Sequence, residues 1–290
     1  MTSLVVEGVG PLATIQDLGR PGHAALGVTT SGAADRRALR LANRLVGNDE
    51  GTAAVEILLG GLVLRAGGPV TVSVAGAPTP LSVNGVAAPL CAPFDLGAGD
   101  RLAVGMPSSG LRTYLALRGG LVVERLFGSA SSDPTTGLGP PPLEVGARLE
   151  VRPAPGTVPV GVDALGPEGP RVSALVLRAV AGPRDDWFTP GAMATLTGSA
   201  WTVTSESDRV GVRLAGPGLE RRRFGELPSE GVVRGGVQVP ASGQPLVFSA
   251  DHPTTGGYPV IAVVLDEDTD ALAQSRPGER VRFRLLRPRW

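Results

Sequence analysis

The stretch Ser229–Val264, SEGVVRGGVQVPASGQPLVFSADHPTTGGYPVIAVV, carries two strand patterns back to back and a set of polar side chains that no strand requires. Gly236–Val239 alternates apolar and polar positions with the period of a half-buried strand. Pro240-Ala-Ser-Gly243 then offers a turn, and Pro245–Phe248 starts back as the second arm of a hairpin. Val260–Val264 is a continuous apolar run, as a buried strand requires. Between them, Asp251, His252, Thr254, Thr255 and Tyr258 surround Gly256-Gly257, so polar groups are expected to cluster at one loop mouth. The glycine pair has two readings: a tight turn using positive φ, or a backbone left bare for close approach by an anion or carbonyl.

Working outward, the chain punctuates often. Its 290 residues hold 42 Gly and 27 Pro, with 42% hydrophobic and only 4% aromatic residues, which suits many short strands and two domains. Lys plus Arg equals Asp plus Glu at 27 each, so no net field attracts nucleic acid or an anionic membrane. Every basic residue is Arg. Without a Lys the chain cannot supply a Walker P-loop or a Schiff base, so ATP, if used, is bound by another chain. Cys91 is the sole cysteine and His23 and His252 the two histidines, which excludes a multi-Cys zinc cluster and a three-His site; no metal-binding residue is assigned, and a metal, if present, would be oxygen-ligated. The N-terminus lacks a basic region followed by a long apolar run, so a cytoplasmic protein is expected.

Within the first half, Ala38, Leu41, Ala42, Leu45 and Val46 recur at helical spacing, with Ser31 or Asp35 as the N-cap and Gly47 as the stop. Asn43 is the residue this amphipathic helix leaves unexplained. Glu56 lies inside the apolar run Ala53–Leu64 and needs a solvated face, an Arg or backbone N–H groups. Gly-x-Arg recurs at Gly99, Gly146 and Gly278, each a turn into a strand. Gly128–Pro142 is a polar loop long enough to be functional. Pro153, Pro155, Pro159, Pro167 and Pro170 mark a linker, giving expected domains over 1–160 and 161–290. In the second half, Thr189 caps a short helix with Pro190 at its first position. Arg221-Arg-Arg223, beside Glu220 and Glu226, reads as a solvated rim.

Four runs then carry a resemblance. GPLATIQDLGRPGHAALGVTTSGAADRRALRLANRLVGN (Gly10–Asn48), GPRDDWF (Gly182–Phe188), SDRVGVRLAGP (Ser207–Pro217) and Ser229–Pro259 resemble, in order, the family variously called allophanate hydrolase subunit 2, KipA-like, biotin-dependent carboxyltransferase or the C-type subunit of 5-oxoprolinase. His252-Pro253 departs from that pattern, where a more polar pair is expected. The resemblance implies a mostly β chain of two cyclophilin-like β-barrel domains with few short helices. It also implies ATP-dependent hydrolysis of 5-oxo-L-proline to L-glutamate with a B-type (KipI-like) protein and an A-type protein as the other components. The alternatives are a biotin-dependent carboxyltransferase or allophanate hydrolase component, with biotin on a carrier, and a KipA-like regulatory binding protein. Carried onto this chain, the expected catalytic residues are Asp17, Arg20, Asp208, Arg209 and Glu230. The expected substrate-binding residues are Gln16, Ser31, Asp35, Asn43, Gln238, Asp251, Thr254, Gly256, Gly257 and Tyr258. Arg209 is expected to grip a carboxylate, the rival reading being an internal pair with Asp208 or Glu206.

Overall fold

The computed structural model describes residues 2–154, 156, 174–223, 225 and 227–286. Most of the proline-rich linker and Glu226 lie outside the described residues. The chain divides into two compact units, Met1–Arg20 with Ser31–Pro170, and Pro21–Thr30 with Arg171–Trp290.

In the first unit, a five-stranded sheet runs in the order Leu12–Gln16, Ala54–Leu58, Arg112–Leu117, Val70–Gly76, Pro93–Leu96. A six-stranded sheet contains Thr2–Gly8 between Arg148–Val151 and Val63–Ala66, continuing through Arg101–Val104. Both sheets contribute to one apolar core, in which Ile15, Val55, Ile57 and Leu115 meet Leu4, Leu64 and Leu102. Strand alternation sends their neighbours to the opposite face. There α1, Arg36–Leu45, packs Leu39, Ala42 and Leu45 against Ala54, Ala75, Tyr114 and Ala116. Arg112–Leu117 is buried along its whole length because the core covers one face and α1 the other. Asp35 caps α1 by accepting from the Ala38 N–H at 2.9 Å, and Gly47 follows the last turn with φ of 70°.

Asn43 lies on α1 but serves the loop that follows. Its Nδ2 donates to the Thr52 and Glu50 carbonyls, and its Oδ1 accepts from Asn48. The three Gly-x-Arg repeats open strands at Arg101, Arg148 and Arg280, each after a glycine with φ between 87° and 93°.

In the second unit seven strands close a barrel in the order Leu175–Ala181, Val260–Val264, Gly236–Gln238, Leu246–Phe248, Gly211–Ala215, Trp201–Val203, Arg280–Leu285. The last strand returns parallel to the first, sealing the edge that an open sheet would expose. Leu177, Trp201, Val237, Val247, Ile261 and Phe283 share its core. The expected hairpin is present, Val237 facing Val247 with the turn closed by Gly243 N–H to the Pro240 carbonyl at 3.0 Å. Pro190–Gly198 forms α2 behind the Thr189 cap. A third helix, α3 over Asp266–Leu272, was not expected.

The polar stretch after the hairpin does not gather at one mouth. Asp251 N–H bonds the Arg209 carbonyl beside the Phe248 end of the hairpin, whereas Gln238 Nε2 holds the Tyr258 carbonyl at the other end, where Gln238 pairs with Leu246. Residues 249–259 therefore run from one end of these strands to the other, pairing on the way through Thr255–Gly256 with Glu230–Gly231.

Candidate functional site

The alternation that puts Ala13 and Ile15 into the core turns Thr14 and Gln16 to the opposite face, the one that carries Glu56 and Tyr114. These four side chains are at most 4% exposed and make a polar floor within an otherwise apolar sheet. Glu56 is held as its burial requires: Oε2 accepts from the Tyr114 hydroxyl at 2.7 Å and the Ala34 N–H at 3.0 Å, and Arg112 Nε lies 3.5 Å from Oε1. Burial, with the Glu56 and Asp35 charges adding to it, pushes the Tyr114 hydroxyl well above its ordinary pKa, so it stays protonated as a donor. Tyr114 in turn accepts from the Asp35 N–H at 2.8 Å. Residues 31–35 are thus pinned to the sheet.

The turn after Gln16 is built around Asp17. Its carboxylate accepts from the Ser129 and Ser131 hydroxyls, both at 2.6 Å, and from the Ala130 and Gly19 N–H groups at 2.8 and 2.7 Å. The Asp17 carbonyl accepts from Ala33 N–H at 2.8 Å. Gly32, with φ of 99°, lets the two segments approach: a Cβ there would lie 2.9 Å from Gly19 N and from the Leu18 carbonyl carbon. Ser31, itself at φ of 51°, donates to the Ser132 carbonyl at 3.2 Å. Gln16 Nε2 donates to that same carbonyl at 2.8 Å and to Thr14 Oγ1 at 3.0 Å, while Arg20 Nη2 donates to the Ser131 carbonyl. The structure therefore brings Gln16, Asp17, Arg20 and Ser31 together against Ser129–Ser132. Those serines lie inside the polar loop noted from the sequence, but their separate roles were missed, because nothing local marks a partner more than a hundred residues away.

Three polar atoms in this cluster have no hydrogen-bond partner: Gln16 Oε1, Arg20 Nε and Arg20 Nη1. Gln16 is fully buried and Arg20 is 1% exposed. No carboxylate among the described residues lies within ion-pair distance of Arg20. A buried charge without a counter-ion costs several kcal/mol, so this cluster is a place in the first unit where the fold sacrifices stability.

In the second unit the expected residues fall into separate groups. Arg209 closes its fork on Asp251, with Nε and Nη2 at 2.7 and 2.9 Å from the two oxygens, both side chains buried; the internal partner is Asp251, neither Asp208 nor Glu206. Asp208 accepts from Val210 and Gly211 N–H and shapes the turn into the next strand. Glu230 is paired through both oxygens with Arg184, and those hydrogen bonds hold its carboxyl below the usual range. Gly256 and Gly257 have no positive φ. Instead, a Cβ on Gly256 would lie 2.6 Å from Gln238 Nε2, so the bare backbone admits that side chain. The Thr254 carbonyl accepts from Val232 N–H. Tyr258 is 48% exposed, with the Arg221 guanidinium 5.9 Å from its ring centroid. Arg221 is no solvated rim residue: it also donates to the Val239 carbonyl, and burial lowers its pKa. Among the described residues no group of three His, Cys, Asp or Glu side chains is placed to hold a metal. No helix among the described residues is long and apolar enough to cross a membrane.

The family model for the carboxyltransferase domain, subdomains A and B, matches residues 26–285. This chain belongs to that family. Among its carboxyltransferase-domain relatives, the C-type subunit of 5-oxoprolinase from Escherichia coli (strain K12) is 37% identical over 97% of this chain and 90% of that protein. The urea amidolyase of Lachancea kluyveri is 30% identical over 96% of this chain but only 16% of its own length. In solved structures, the carboxyltransferase fold recurs in TTHA0988, at TM-score 0.87 and 36% identity, covering 98% of this chain and 55% of that one. It recurs in the K. lactis urea amidolyase at TM-score 0.88 and 27% identity, covering 98% of this chain and 19% of that one. This chain thus spans about half of TTHA0988 and under a fifth of the urea amidolyases.

Proposed function

We propose that this chain is the C-type component of an ATP-dependent 5-oxoprolinase, which hydrolyses 5-oxo-L-proline to L-glutamate together with a B-type (KipI-like) protein and an A-type protein. One observation carries the reading: the similarity to the E. coli C-type protein runs nearly from end to end in both chains. ATP is bound by a partner, since a chain without Lys has no P-loop to cradle its phosphates. Opening a lactam needs the ring held with its carbonyl polarised and its nitrogen free to gain a proton. Buried donors and an acceptor on two side chains anchored to consecutive carbonyls, as at Arg20 and Gln16, suit the holding step.

A second reading, transfer of a carboxyl group from carboxybiotin, draws on the family description and on the urea amidolyase similarity. It fits less well, because this chain matches so small a part of those proteins. The test is an omission experiment: glutamate and ADP are measured with the chain and both partners, then with each left out. Activity is expected only from the full set. Undiminished turnover without this chain refutes the proposal, and turnover that needs it makes a purely regulatory KipA-like role unnecessary.

A further inference from the structure

We infer that Gln16 and Arg20 form the recognition site for a small ligand that carries a carboxylate next to an amide N–H. The specific ligand, 5-oxo-L-proline, rests on the function proposed above; the anion-receiving role of Arg20 does not. Both side chains keep buried hydrogen-bonding atoms that the fold leaves unused. Arg20 Nη2 is anchored on the Ser131 carbonyl and Gln16 Nε2 on the carbonyl of the next residue, Ser132, so two neighbouring main-chain groups aim both side chains. The Gln16 amide cannot be turned round, because the Ser132 carbonyl only accepts and must face Nε2. Its Oε1 is therefore a buried acceptor with nothing to accept from, and the guanidinium anchored on the adjacent residue's carbonyl has Nε and Nη1 with nothing to donate to.

The neighbouring Asp17 is the internal control. It is equally buried, yet its carboxylate receives two hydroxyls and two backbone N–H groups, so this part of the fold satisfies what it means to keep closed. What is left open matches a ligand with an anionic group for Arg20 and a neighbouring N–H for Gln16 Oε1. In 5-oxo-L-proline the carboxylate and the lactam N–H sit on adjacent ring atoms. With both residues at most 1% exposed, entry requires a local opening of the turn at 17–20 or of the loop at 129–139, whose Gly139 lies against Arg20.

The test compares wild-type full chain with Arg20→Met and Gln16→Met in three ligands: 5-oxo-L-proline, cyclopentanecarboxylate (carboxylate without lactam) and 2-pyrrolidinone (lactam without carboxylate). The readouts are the ligand-induced rise in Tm and, in the reconstituted complex, KM. Both carboxylates are expected to raise the wild-type Tm, because a ligand that binds only the folded state stabilises it. Arg20→Met is expected to weaken both by roughly thirtyfold or more while leaving the ligand-free Tm equal or higher, since it removes an unpaired buried charge. Gln16→Met is expected to weaken 5-oxo-L-proline but not cyclopentanecarboxylate. If Arg20→Met does not fold, Arg20→Gln, which also removes the charge, carries the same comparison.

Equal ligand shifts in wild type and Arg20 variants, or no shift with any carboxylate because buried water alone satisfies these atoms, overturns the inference. Turnover of 5-oxo-L-proline with unchanged KM in the variants overturns it while leaving the proposed function standing. Arg20-dependent binding of cyclopentanecarboxylate, in a complex that never opens 5-oxo-L-proline, does the reverse.

Discussion

Asp17→Asn is a near-isosteric change with a large expected cost. The carboxylate accepts four hydrogen bonds at 2.6–2.8 Å while 3% exposed. Oδ1 takes both serine hydroxyls and the Gly19 N–H, and Oδ2 takes the Ala130 N–H. An amide keeps one oxygen; if that oxygen stays with the serines, its NH2 group faces the Ala130 N–H, donor against donor. One charge-assisted bond is lost outright, at about 1.5–3 kcal/mol, and the other three weaken as the charge disappears, giving about 3–4 kcal/mol in all. At roughly 2–4 °C per kcal/mol for a unit of this size, Tm falls by about 6–16 °C. Differential scanning calorimetry reads the shift directly. Serine hydroxyls can rotate to compensate, so Ser131→Ala combined with Asp17→Asn should cost less than the two separate changes added. A Tm within about 2 °C of wild type refutes the view that Asp17 organises the 129–132 loop.

Other outcomes follow from single contacts. Arg209→Lys keeps a cation but cannot span both Asp251 oxygens, so Tm should fall by about 3–6 °C in a melt; an unchanged Tm with reduced turnover would mean that its main task lies outside that pair. Gly32→Ala, at φ of 99° with its Cβ 2.9 Å from the Leu18–Gly19 backbone, should cost about 2 kcal/mol or more in denaturant unfolding, and a neutral result would contradict the close approach. Hydrogen bonds from Arg184 depress Glu230. Burial pushes Asp268 up, but hydrogen bonds from the Arg178 side chain and backbone outweigh it, leaving it depressed too. A depressed folded pKa contributes stability that is present above the unfolded value, near 4, and lost as pH falls through the folded one. Acid unfolding should therefore set in below about pH 4, and Arg178→Met should move its midpoint upward; a midpoint that stays put removes Arg178 as the cause.

Local chemistry was legible where a signal and its partner lie close in the chain. The 236–248 hairpin announced itself through period-two alternation and a Pro-Ala-Ser-Gly turn, and α1 through its apolar spacing, its Asp35 cap and Gly47. The Gly-x-Arg repeats each opened a strand because the glycine takes a positive φ just before it. What stayed hidden depends on distance along the chain. Helix α3 follows Leu265, an N-cap position with no capping side chain, and its acids answer to Arg178 and Arg234, roughly 90 and 30 residues away. Glu56 stood out in the sequence as a buried acid needing a partner, yet only the cross-strand register places Tyr114 opposite it. At the candidate site, Gln16, Asp17 and Arg20 came from the family resemblance. That Asp17 is fully satisfied while its neighbours are not depends on Ser129–Ser132, over a hundred residues on, and no reading of 16–20 alone reveals it.

The central claim is the reaction itself, and a side-by-side substrate panel tests it most directly. The complex of this chain with the proposed B-type (KipI-like) and A-type proteins is supplied with ATP and, separately, 5-oxo-L-proline, allophanate, or urea with a biotinylated carrier protein. The account predicts L-glutamate and ADP from 5-oxo-L-proline alone. Carboxyl transfer from the carrier to urea, with 5-oxo-L-proline left intact, would contradict it.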